Sequence, residues 1–185
     1  MIAGETVPKR LRERSRQHRE RPFSWTKDVE GTFQPTTFGE MWETVAHTGA
    51  GLIELGVRRG DHVGLMSHNR KEWIFTDLAI LGVGGADVPR GSDSTADEMS
   101  FILAHADCRI TFAEDPAQCA KILSKKSAMP RLERIVLFDD YPDPSDRPAV
   151  EGVTISSYAD LVELGVGTGD EGRRRFEAEV DAGDT

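Results

Sequence analysis

The chain has 185 residues, 38% hydrophobic and 30% charged, with a formal net charge of -9. A chain of this length can bury about 70% of its unfolded surface, so its composition speaks against wholesale disorder and allows one large domain or one and a half small ones. The negative charge sits on the body: residues 1–21 hold seven Lys or Arg against Glu5, Glu13 and Glu20, leaving -13 elsewhere. That balance speaks against non-specific nucleic-acid binding, which depends on neutralising phosphates with basic side chains.

Cys108 and Cys119 are the two cysteines. They form no CxxC pair, and no secretory leader pattern precedes them, so a reducing, cytoplasmic setting is expected. The most apolar window, Trp73 to Val83, is broken by Thr76 and Asp77 and falls short of the roughly 18 to 20 residues that cross a bilayer. The basic run from Glu5 to Arg21 carries only Val7 and Leu11 as apolar residues over most of its length. It reads first as a solvated or partner-docked helix, and second as a helix drawn to anionic headgroups at the inner face of a membrane.

Next, Phe23, Trp25 and Phe33 lie on two short runs separated by the turn Asp28 to Gly31, which predicts a hairpin. Pro35 lacks a ladder donor and is expected to end the second strand, with the pair at an edge. Thr37 and Glu40 have the spacing of a capping box. Phe38, Met41, Trp42, Val45, Ala46, Gly49, Leu52 and Ile53 then recur at three- and four-residue steps, predicting an amphipathic helix that Gly56 terminates. His62 to Ser67 is short and apolar, as in a strand covered on both faces. Asn69 with Glu72 predicts a second cap, and the apolar helix from Arg70 to Gly84 is expected in the core.

Ala86 to Pro89 reads as another short strand, followed by the polar loop Arg90 to Thr95. In parallel sheets ligands gather at the carboxyl ends of strands, near helix amino ends that favour anions. Ser67, Asn69, Arg90 and Ser92 are therefore the candidate residues at the edge of a substrate cleft, against the plainer reading of caps and loop ties. Arg90 could clamp a phosphate or carboxylate, or tie its loop to an acidic neighbour. Gly82, Gly84 and Gly85 follow a helix and precede a strand, the reverse of a dinucleotide fingerprint.

Thr95 and Glu98 predict a third capped helix, with Met99, Ile102, Leu103 and Ala106 inward. A strand at Arg109 to Ala113, a helix over 116–128 and a strand at Arg134 to Asp139 continue the alternation. The cysteines read as small core residues, and the histidines lack partners at metal-ligand spacing. After the Pro- and Asp-rich connection Tyr141 to Gly152 come a strand at Val153 to Ser156 and a helix capped by Ser157. Gly165 to Gly172 reads as a linker rather than a phosphate loop, since no Lys-Ser or Lys-Thr follows; a short helix is expected around Gly172 to Val180. The fold class is thus α/β, a mostly parallel sheet flanked by helices with an edge hairpin. Its divisions are a basic helix over 1–21, the α/β subdomain over 22–156, and a charged helical connection over 157–185.

The stretch from Thr36 to Thr95 resembles the amino-terminal subdomain of AMP-forming long-chain acyl-CoA synthetases, in the adenylate-forming ligase superfamily. The resemblance rests on Leu55-Gly-Val-Arg-Arg-Gly-Asp61, Asn69-Arg-Lys-Glu-Trp73 and Val88-Pro-Arg-Gly-Ser-Asp-Ser94, and extends over residues 22–185. It implies a parent enzyme that uses ATP, magnesium and coenzyme A to turn a fatty acid into acyl-CoA, AMP and pyrophosphate. The family's phosphate loop, its magnesium-side acid, its ribose acid and its mobile lysine have no counterpart here, so no catalytic, cofactor-binding or metal residue is carried over. The chain is accordingly expected to be an inactive amino-terminal fragment, binding no cofactor by itself and self-associating through the apolar surface left bare. The competing reading is a free-standing, non-catalytic interaction or dimerisation module.

Overall fold

The computed structural model describes residues 4–183. In chain order the elements are α1 (Val7–Gln17), β1 (Pro22–Lys27), β2 (Phe33–Thr37), α2 (Phe38–Glu54), β3 (His62–Met66), α3 (Lys71–Gly82) and β4 (Ala86–Arg90). Then follow α4 (Ala96–His105), β5 (Ile110–Ala113), α5 (Pro116–Leu123), β6 (Arg134–Leu137), β7 (Thr154–Ser157), α6 (Tyr158–Gly167) and α7 (Gly169–Ala182). Strands β4-β3-β5-β6-β7 form one parallel sheet, and β1 and β2 form an antiparallel hairpin of their own.

Alternation along the strands sorts side chains into two cores. Val63, Leu65, Phe112 and Val136 join Val45, Leu52, Phe75, Ile80, Leu161 and Phe176 beneath α2, α3, α6 and α7. Met66, Ile135, Leu137 and Ile155 pack on the other face with Met99, Leu103, Cys119 and Ile122 from α4 and α5. Because both faces are covered, the inner strands β3, β5 and β6 are buried along nearly their whole length instead of at every second residue.

Local chemistry sets several helix starts. In α2 the Thr37 hydroxyl accepts from the Glu40 N–H at 3.2 Å, while the Glu40 carboxylate accepts from the Thr37 N–H at 2.8 Å. Thr95 and Glu98 repeat this pair at the start of α4, and Ser157 with Asp160 at α6. Gly56, at φ +82°, supplies the left-handed residue after α2.

Five expectations are corrected. Arg70, not Asn69, stands at the start of α3 and makes no side-chain cap; its Nε instead donates to Glu72 at 2.8 Å. Pro35 lies inside β2, opposite Trp25, because that edge of the hairpin asks no donor of it. The helix expected over 116–128 stops at Leu123, and a single 3-10 turn covers Lys126–Ala128. The glycine-rich run expected as a linker is helical: α6 reaches Gly167 and α7 begins at Gly169. Gly165 is what lets α6 lie against α2, since a Cβ there would stand 1.8 Å from the His47 carbonyl oxygen. Finally, α7 starts before Gly172 and is seated in the core by Phe176 and Val180.

Helix α1 docks within the molecule. Leu11 packs on the core beneath α2 and α3, and Arg12 donates to the Glu177 carboxylate at 2.7 Å and to Asp181 on α7. Lys9 Nζ donates to the Gly183 carbonyl at 2.6 Å. Much of this helix's positive charge is therefore directed at the acids of α7.

Candidate functional site

The strand order creates an opening at one place. After β3 the chain turns to α3 on one face of the sheet, while after the adjacent β5 it turns to α5 on the opposite face. Loops that part in this way leave a crevice outside the carboxyl ends of the strands, where ligands of parallel α/β sheets bind. The ladder runs one residue beyond the strands here: the Ser67 N–H donates to Arg90 O at 3.0 Å and the Glu114 N–H to Met66 O at 3.0 Å. Residues 67–69, 90–92 and 114 are thereby gathered at one end of the sheet.

Ser67, Asn69 and Arg90 line a shallow hollow of about 340 Å³ together with His68, Trp73, Pro89 and Gly91. Ser67 is buried and its hydroxyl donates to the His68 carbonyl at 2.9 Å, whereas Asn69 and Arg90 are exposed. Arg90 makes no ion pair among the described residues, which leaves its guanidinium open to an anion. Ser92 lies beneath the rim, 5% exposed, with its hydroxyl hydrogen-bonded to His68 Nδ1. Lys121 Nζ holds the Ser92 loop by donating to Ser92 O at 3.0 Å.

Glu114 joins them. Its carboxylate accepts from the His68 backbone N–H at 3.1 Å and lies 3.0 Å from His68 Nδ1. Burial alone would raise the Glu114 pKa, but hydrogen bonds from Ser92 and from the His68 backbone and ring outweigh it and hold the carboxyl below its ordinary value. Sequence reasoning did not single out Glu114. The available signal was that it follows β5 directly, as Ser67 follows β3.

A serine, a histidine and a glutamate in contact invite comparison with a nucleophilic triad, and the geometry answers no. A triad places the nucleophile and the acid on opposite ring nitrogens; here Glu114 and Ser92 both crowd Nδ1, and Nε2 is 3.3 Å from the same Ser92 hydroxyl. The cluster braces three loops against one another. Arg70 braces a fourth, donating to both Asp139 oxygens at 2.8 and 2.9 Å while lying 5.3 Å from the Phe138 ring centroid. Its pKa is raised first by the hydrogen bonds to Asp139.

Metal and cofactor chemistry can be tested on these groups. His68 and Glu114 offer one imidazole and one carboxylate already spent on each other, and among the described residues no group of three His, Cys, Asp or Glu could hold a metal ion. Burial pushes the Cys108 thiol up to about 12 and the Cys119 thiol up to about 11, so neither is a thiolate near neutral pH. The residues that line this hollow do not by themselves fit magnesium-bound ATP. What the hollow can do is present one guanidinium and one amide, those of Arg90 and Asn69, to a polar ligand.

Comparison with known proteins gives these arrangements a context. Residues 11–170 match the family model described as AMP-binding enzyme. A long-chain-fatty-acid–CoA ligase of Mycobacterium tuberculosis is 28% identical over 128 residues, 69% of this chain and 21% of the relative. A peroxisomal long chain acyl-CoA synthetase of Arabidopsis thaliana is 32% identical over 137 residues, 73% of this chain and 19% of the relative. The chain thus spans about a fifth of the length of these curated relatives. Among solved structures, the adenylation domain of a carboxylate reductase from Mycobacterium chelonae superposes with a TM-score of 0.72 at 21% identity, covering 88% of this chain and 29% of that one. At that identity the likeness concerns the fold, an α/β architecture shared with the amino-terminal domain of adenylate-forming enzymes.

Proposed function

The chain belongs to the AMP-binding enzyme family, and on that premise we propose that it is the amino-terminal portion of a long-chain fatty acid CoA ligase. The parent reaction joins a fatty acid to coenzyme A with conversion of ATP to AMP and pyrophosphate. The observation that carries this reading is the family match over residues 11–170, taken with relatives that are long-chain acyl-CoA ligases. In this reading Ser67, Asn69, Arg90 and Ser92 form one edge of the substrate cleft, and residues 157–185 lead toward the rest of the enzyme.

ATP, magnesium and coenzyme A belong to the whole enzyme, where they supply the activation and transfer chemistry. This chain contributes a rim: Arg90 attracts an anion, Asn69 offers a neutral donor, and the bonds among Glu114, His68 and Ser92 keep the loops in place. Charge stabilisation of adenylyl transfer needs convergent cationic clamps on the phosphates, and a single free guanidinium does not make one. The chain alone is therefore inactive in this reading. Its apolar hairpin face, carrying Trp25 and Phe33 at 58% and 57% exposure, favours self-association.

The test has two arms. The product of the whole reading frame should release pyrophosphate and form acyl-CoA from a long-chain fatty acid, ATP and coenzyme A, while the 185-residue chain should release none. Pyrophosphate made by this chain alone, or a natural reading frame that stops at its last codon, refutes the proposal.

A further inference from the structure

Between α1, α2 and α7 runs a groove of about 660 Å³, within the range of about 300 to 1,000 Å³ typical of small-ligand sites. Five guanidinium groups line it, those of Arg12, Arg16, Arg19, Arg173 and Arg174, against three carboxylates. In a chain of net charge -9 this is a local positive surplus.

The arginines fall into two sets. Arg12 and Arg173 are spent on the floor: Arg12 donates to Glu177 at 2.7 Å and to Asp181, and Arg173 donates to Glu43. The Trp42 indole N–H, from the core side, holds Glu177 at 3.1 Å. The carboxylates are thus oriented by these partners. Arg16 and Arg19, at the mouth, form long ion pairs with Glu177 and Glu43 at 3.6 and 3.5 Å, without a hydrogen bond, and their side chains are 61% and 63% exposed. Arg174 is exposed and has no ion pair among the described residues.

Three guanidinium forks therefore border one groove with donors unspent, above a floor that the paired acids and Trp42 keep rigid. A guanidinium fork matches the oxygens of a phosphate group with two parallel hydrogen bonds. We propose that this groove binds a phosphorylated anion, a diphosphate or the phosphomonoester of a headgroup, through Arg16, Arg19 and Arg174. None of α1, α2 or α7 carries a residue of the crevice at the strand ends, so this inference does not rest on the ligase reading.

The experiment titrates the 185-residue chain with inorganic pyrophosphate by calorimetry and sediments it with phosphatidylcholine vesicles, with and without phosphatidic acid. The triple variant Arg16→Gln/Arg19→Gln/Arg174→Gln is compared with Arg14→Gln/Arg21→Gln/Arg58→Gln, which removes as many exposed arginines outside the groove; circular dichroism and melting confirm that both fold. Saturable binding should weaken about tenfold or more in the groove variant and stay within about twofold in the other, because each lost charge-assisted fork removes specific contacts. Binding of pyrophosphate alone identifies a soluble phosphate compound as the ligand. Sedimentation that needs phosphatidic acid and is lost in the groove variant identifies a lipid headgroup. Absence of saturable binding in both arms, or an equal loss in the two variants, overturns the proposal.

Discussion

Single residues carry the pH dependence of this fold. Asp77 on α3 is half-buried beside Asp87 on β4, and burial first, then the charge and hydrogen bond of Asp87, push its pKa up to about 6 from 3.8. The folded state then holds a proton more tightly than the unfolded chain, so stability is lost as pH rises from about 4 through about 6. Asp77→Asn keeps the shape and removes the ionisation. It should stabilise the chain by roughly 1 kcal/mol at pH 8, the shift being discounted for partial exposure, and by nearly nothing at pH 4. Urea unfolding at the two pH values measures this, and an equal gain at both would show that charge is not the cause. At the same scale, the positions of Ser67, Asn69, Arg90 and Ser92 were legible because apolar runs mark where strands end. The contact of His68 with Glu114 was not, since it joins residues 46 apart and exists only because β5 lies beside β3.

Elements show where local signals suffice and where packing overrules them. The boxes at Thr37/Glu40 and Thr95/Glu98 were readable because both partners sit within one turn and satisfy amides that every helix start leaves bare. Gly165 to Gly172 was misread because glycine is a poor helix former on its own, by about 1 kcal/mol relative to alanine. The cost is met by the contact of α6 with α2 that the missing Cβ permits. Gly165→Ala should therefore raise helix propensity yet lower stability by about 2 to 3 kcal/mol, because the added methyl must displace backbone. The shift of the urea midpoint reads this directly, and a stabilised variant would mean that α6 is not held against the His47 carbonyl.

At the scale of the whole molecule, alternation of helices with apolar runs was enough to foresee a parallel sheet, because both faces of such strands must be covered. The order β4-β3-β5-β6-β7 was not foreseeable from one sequence, since either side of β3 would accept the next strand equally well by pattern alone. The hairpin stands outside that sheet, and its register sets Trp25 opposite Pro35 and Phe33 opposite Lys27, on one outward face. An apolar face of this kind seeks cover. Sedimentation equilibrium should show the mass of the chain rising with concentration, and Trp25→Ser/Phe33→Ser should return it to a monomer; a wild-type monomer at every concentration would refute this. The central place of β3 also bears on synthesis. Its ladders need β4 on one flank and β5 on the other, and the second partner is translated only after the whole of α4. A ribosome pausing in that interval holds a half-built sheet whose inner strand offers open amides to chaperones and to neighbouring nascent chains alike.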